Sequence, residues 1–147
     1  MALQESLEQE GNILFRYRSF LPLIIILAGI IVFFYDNINQ QVVSNDKTYT
    51  LIEIISLVVS FSGLMIRIIA VGHTPANTSG RNTKEQLADE INTTGIYSTV
   101  RHPLYLGNFF MWAGAVILIA NAWFFIVFVL AYWIYYERIM YAEEQFL

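Results

Sequence analysis

Residues 101–138 read RHPLYLGNFFMWAGAVILIANAWFFIVFVLAYWIYYER. Two apolar runs, placed as helices over 104–120 and 122–137, meet with only Asn121 between them. In a bilayer such runs are helical, because a helix satisfies its backbone polar groups within the segment itself. One polar residue at the junction makes them an antiparallel hairpin. Titratable residues stand at both open ends of that hairpin. Arg101 and His102 precede the first run, and Glu137, Arg138, Glu143 and Glu144 follow the second. Ionisable side chains at hydrocarbon are costly and mark functional sites by default. The hairpin brings both clusters to one membrane face, and a site is expected there.

Working outward, two more apolar stretches lie upstream. The first, 20–35, follows Arg16 and Arg18 and carries Pro22 in its first turn, where a missing N–H costs little. The second, 49–71, places Ser56, Ser60 and Gly63 at i, i+4 and i+7, a small-residue face suited to close helix packing. The whole chain has 147 residues, of which 56% are hydrophobic and only 14% charged. The charged share is well below the roughly 25% of soluble domains. The expected fold is all-α: a polytopic membrane protein of about four transmembrane helices. One membrane domain covers 1–147, with a polar N-terminal segment at 1–19. A net charge of −4 and the lack of a basic stripe exclude a nucleic-acid partner. The absence of Cys excludes disulfides and thiolate chemistry. The opening MALQESLEQEGN is polar and acidic, unlike a cleavable signal peptide.

Lys and Arg placement sets the orientation. With the N-terminus in the cytoplasm, Arg16, Arg18, Arg81, Lys84, Arg101 and Arg138 all fall inside and only Lys47 outside. Both termini and the loop 72–102 are then cytoplasmic, in a bacterial inner membrane. The loop holds a short amphipathic stretch, 83–91, bracketed by Gly80 and Gly95.

Each polar residue also has a plainer role. His102 suits a helix cap, Glu143 and Glu144 a solvated helix end, and Arg67 a side chain snorkelling to the inner interface. Arg138 has Tyr141 and Ala142 at i+3 and i+4, so the usual helical pair with Glu143 is not offered. His73 has no second histidine at ligand spacing, and no metal is expected.

The series Gly95, Tyr97, Val100-Arg101-His102-Pro103, Tyr105 and Gly107, then Trp112 and Gly114, resembles the signature of the isoprenylcysteine carboxyl methyltransferase and phospholipid methyltransferase superfamily. Arg138, Glu143-Glu144 and Leu147 resemble its second signature, and Gly63, Arg67 and Ala70 a weaker upstream element. The likeness covers about residues 60–147. It implies S-adenosyl-L-methionine as methyl donor, held on the cytosolic side by His102, Leu104, Tyr105, Leu106, Glu143 and Glu144. It also implies Arg138 and Glu143 as the catalytic pair at the reacting centre. Segment 138–147 reads as the start of a closing part over the cofactor, cut short at Leu147.

The chemistry agrees with that likeness. A sulfonium donor is cationic, so nearby carboxylates favour its binding. An arginine can hold a carboxylate or phosphate in fork geometry and aim one oxygen at the methyl. An amine acceptor would need a base, for which His102 or Glu143 is placed. The acceptor is expected to be a lipidic or prenylated carboxylate, phosphate or amine that enters from the bilayer. Oligomeric state is not set by the sequence. Two other readings stay open: an NADPH-dependent membrane reductase of the steroid-reductase type, and a non-enzymatic membrane subunit.

Overall fold

The computed structural model describes residues 2–39, 46–73 and 95–146, and all regular structure among them is helical. The elements are α1 (Ala2–Tyr17), α2 (Leu21–Asn39), α3 (Asp46–Gly72), a 3-10 turn (Gly95–Ser98), α4 (Pro103–Leu118) and α5 (Ala122–Phe146). α2, α3 and α5 are long and apolar enough to cross a membrane, whereas α4 is apolar but has only 16 residues. The molecule is an all-α polytopic membrane protein. Its surface fits that reading: Ile31, Leu57, Leu130 and Trp133 face outward while Ser56 is buried. The stretch 83–91 lies outside the described residues.

α3 and α4 pack closest, antiparallel, through the expected small-residue face. A Cβ at Gly63 would lie 2.5 Å from the Met111 N and 2.6 Å from the Gly107 O, so only hydrogen fits. The same close approach lets Ser56 Oγ donate to the Gly114 O at 2.6 Å and Ser60 Oγ donate to the Met111 O at 3.1 Å. Without a hydrophobic drive between helices in lipid, backbone proximity and such hydrogen bonds hold the pair.

α4 and α5 form the hairpin. Ala120 turns the chain in the left-handed region at φ 59°. Asn121 then does two things: its Oδ1 accepts from the Phe124 N–H at 2.9 Å, capping α5, and its Nδ2 donates to Asp36 Oδ2 on α2 at 2.8 Å. Aromatic rings fill the seam, with Phe109 against Phe128 and Tyr132, and Tyr105 against Tyr136.

Two expectations change. The N-terminal stretch, read as a polar segment over 1–19, is the helix α1 as far as Tyr17 and packs along α5. Its buried side is small and aromatic: Gly11 lies against the Arg138 backbone and Ala142, and Phe15 is buried. The division at 137–138 also vanishes, because α5 runs unbroken to Phe146. Nothing after Glu137 breaks a helix, and Ile139 and Ala142 are buried, so packing carries the helix past its apolar part.

Chain entry to the hairpin is set by Gly95. Its φ of +59° and the His73 ring beside it both require glycine. The chain thus returns from the 74–94 stretch next to where it left α3.

Candidate functional site

Pro103 starts α4 at a position that tolerates it, and His102 stands at the N-cap. The His102 side chain makes no capping hydrogen bond. It turns instead to the end of α5, with Nδ1 3.5 Å from Glu143 Oε2 and Nε2 3.3 Å from Glu144 Oε1. A neutral imidazole has one N–H and cannot donate to both carboxylates; the imidazolium can. Burial of the ring opposes a charge there, but hydrogen bonding and attraction from Glu143 and Glu144 outweigh it and raise the His102 pKa above 6.5. Arg101 adds a looser contact, Nε to Glu144 Oε1 at 3.5 Å, with its side chain mostly in solvent.

One turn into α4, Tyr105 donates its hydroxyl proton to Glu143 Oε1 at 2.6 Å. The Tyr105 carbonyl accepts from the Tyr132 hydroxyl at 2.7 Å, which ties this turn to α5. The His102 and Tyr105 rings stack at 5.9 Å, and the Tyr132 and Tyr136 rings stack at 4.2 Å. Leu104 and Leu106 are half-buried beside them. The structure therefore gathers His102, Tyr105, Glu143 and Glu144 where the hairpin opens, while Leu104 and Leu106, two residues apart on α4, point about 200° away from each other.

Arg138 is not gathered with them. Five residues separate it from Glu143 on one helix, which turns the two side chains about 140° apart. Its Nε donates to Glu10 Oε2 on α1 at 2.6 Å, and its Nη1 donates to the Ile134 O. The geometry seats Arg138 as the link between α1 and α5.

Two other arginines approach the site: Arg67, expected to snorkel to the inner interface, and Arg18, expected only as a flanking charge. Arg67 Nη1 on α3 donates to Asn108 Oδ1 on α4, and the Arg67 charge acts on Tyr132 and Tyr136. Arg18, in the turn after α1, stacks over Phe15 at 4.1 Å and lies within hydrogen-bonding reach of the Tyr105 hydroxyl. The signal for Arg67 and Asn108 was visible as polar residues inside apolar runs. Nothing local in the sequence pointed Arg18 at α4. Among the described residues, no group of three or more His, Cys, Asp or Glu stands together as a metal site.

An α-helical membrane bundle that gathers a histidine, two carboxylates and stacked tyrosines where its last hairpin opens is the class of protein the fold defines. Residues 54–147 match the phospholipid methyltransferase family profile, and the chain belongs to that family. It is also similar to the protein-S-isoprenylcysteine O-methyltransferase of Saccharomyces cerevisiae, 34% identical over 88 residues. That alignment covers 58% of this chain and 36% of the yeast protein. No solved structure matches the chain.

Proposed function

We propose that this protein is an S-adenosyl-L-methionine-dependent integral membrane methyltransferase. Its acceptor is a lipidic or prenylated molecule reached at the cytosolic face of a bacterial inner membrane. The observation that carries the reading is the meeting of Tyr105 and His102 with Glu143 and Glu144, inside the family-matched region. The uneven placement of Lys and Arg supports the orientation.

The donor set fits the cofactor. Glu143 and Glu144 supply two carboxylates for a cationic ligand, and the tyrosine faces beside them attract cations. When bound, S-adenosyl-L-methionine would supply an electrophilic methyl group on a sulfonium sulfur, a neutral thioether being the leaving group. The chain's own residues do the rest. Tyr105 holds Glu143 in place, and His102 orients both carboxylates. Arg138 fixes α1 over α5. For an amine acceptor, Glu143 and a deprotonated His102 stand ready to take the proton.

The test is calorimetric binding of S-adenosyl-L-methionine to the protein in nanodiscs, with His102→Ala and Glu143→Ala as comparators. Saturable binding that both substitutions abolish supports the reading. No binding by the wild-type chain, with saturable NADPH binding in its place, would overturn it.

A further inference from the structure

Two arginines reach the tyrosines that stand beside the carboxylates. Tyr105 donates to Glu143, while Arg18 acts on Tyr105 and Tyr136, and Arg67 on Tyr132 and Tyr136. Arg67 is the more telling of the pair. It lies within a membrane-crossing helix and is half-buried, where a guanidinium without a counter-charge is costly. Yet its bond goes to a neutral amide, Asn108, and among the described residues no carboxylate forms an ion pair with it. The surroundings are shaped for it. A Cβ at Gly107 would lie 2.6 Å from Arg67 Cγ, so the glycine is what lets the arginine stem cross α4. The guanidinium has five N–H donors in a planar fork, and Asn108 Oδ1 takes only one of its nitrogens.

We propose that Arg67, Asn108 and Tyr136, faced by Arg18, form a subsite for the oxyanion of the methyl acceptor: a lipid phosphate or carboxylate. This names the substrate class of the site above and rests on that reading. The charges sort the two ligands: the cationic donor goes to Glu143 and Glu144, and the anionic acceptor goes to Arg67. The ring cluster of Tyr105, Tyr132 and Tyr136 stands beside both. Arg67 projects from a helix whose outer face meets lipid, so an amphiphile brings its head group to the fork while its chain stays in the bilayer. A bidentate guanidinium–oxyanion contact gives position as well as affinity.

The test uses the full chain in phosphatidylcholine nanodiscs. Dodecyl phosphate and dodecanoate are the probes, dodecanol is the uncharged control, and inorganic phosphate is the free-ion control. S-adenosyl-L-methionine binding is measured on the same samples. We expect saturable binding of an alkyl anion beyond the partition of dodecanol. Arg67→Gln should weaken it by about tenfold or more, the loss of one charge-assisted contact. Asn108→Asp should do the same by a different route, because a carboxylate there neutralises Arg67 in place and keeps it packed. Both variants should keep donor binding, whereas Glu143→Gln should lose donor binding and keep the anion. Anion binding unchanged in both Arg67→Gln and Asn108→Asp, or no greater than that of dodecanol, would overturn the subsite. Inorganic phosphate binding as tightly as dodecyl phosphate would overturn the lipid assignment. Anion binding that persists with no donor binding by the wild type would overturn the methyltransferase reading and leave the subsite standing.

Discussion

The Tyr105 hydroxyl donates to Glu143 Oε1 at 2.6 Å across 38 residues of chain, joining the first turn of α4 to the end of α5. This bond holds one carboxylate still while its neighbour Glu144 remains partly in solvent, with side-chain exposures of 15% and 39%. Tyr105→Phe removes the donor and leaves the ring. Donor affinity should fall about tenfold, the scale of one hydrogen bond to a charged group, with helix content unchanged. Calorimetry with circular dichroism on the same samples checks both parts.

The raised pKa of His102 gives stability a pH dependence of known sign. The imidazolium gains its partners on folding, so its contribution is fully present below pH 6.5 and is lost as pH rises through the raised value. Thermal melts in detergent from about pH 6 to about pH 9 should show a decline that His102→Gln flattens.

Gly114 faces Ser60 Oγ and lies so close to the Ser56 O that a Cβ would come within 2.6 Å of it. Gly114→Val therefore forces α3 and α4 apart and should cost about 1–3 kcal/mol or more, the scale of overpacking. Ser56→Ala removes only a hydrogen bond, worth about 0.6 kcal/mol in a membrane. Unfolding in mixed micelles should rank the two variants in that order; equal losses would mean that hydrogen bonding, not close approach, holds the pair.

Arg138 offers a clean separation of roles. Its ion pair with Glu10 is exposed on both sides, with 31% and 50% of the side chains accessible, so Arg138→Gln should change global stability by less than about 1 kcal/mol. Hydrogen exchange of α1 should nevertheless quicken, and Glu10→Gln should match it. If Arg138→Gln abolishes turnover while Glu10→Gln leaves it intact, the arginine acts at the reacting centre instead.

Periodicity and polarity made much of this legible. The hairpin followed from Asn121 standing alone between two apolar runs, and the α3–α4 contact followed from Ser56, Ser60 and Gly63 sharing a face. The histidine–carboxylate meeting followed from the hairpin, because residues 42 apart come level when the chain folds back once. α1 was missed because its composition is polar and its buried side is little more than Gly11 and Phe15. The Arg138–Glu10 pair joins residues 128 apart on helices whose mutual packing no local pattern encodes. Arg67 was read as snorkelling because a lone arginine near a helix end usually does so. What redirects it is a glycine on another helix.

The Asp36–Asn121 bond marks the far limit of the bundle as clearly as His102 marks the near one. Between those limits α4 has 16 residues, about 24 Å of helix, and the part of α2 from Leu21 to Asp36 is the same length. A typical hydrocarbon core is about 30 Å thick. The α2–α4 side of the protein is therefore cut for a thin membrane, whereas α3 and α5, with 27 and 25 residues, exceed the core. Along the short side the leaflet dimples or the bundle leans, at a fraction of a kcal/mol per ångström of hydrophobic mismatch. Acyl-chain length of the host bilayer thus becomes a control on the site, since a dimpled leaflet lowers lipid head groups toward the plane of Arg67 and Tyr105.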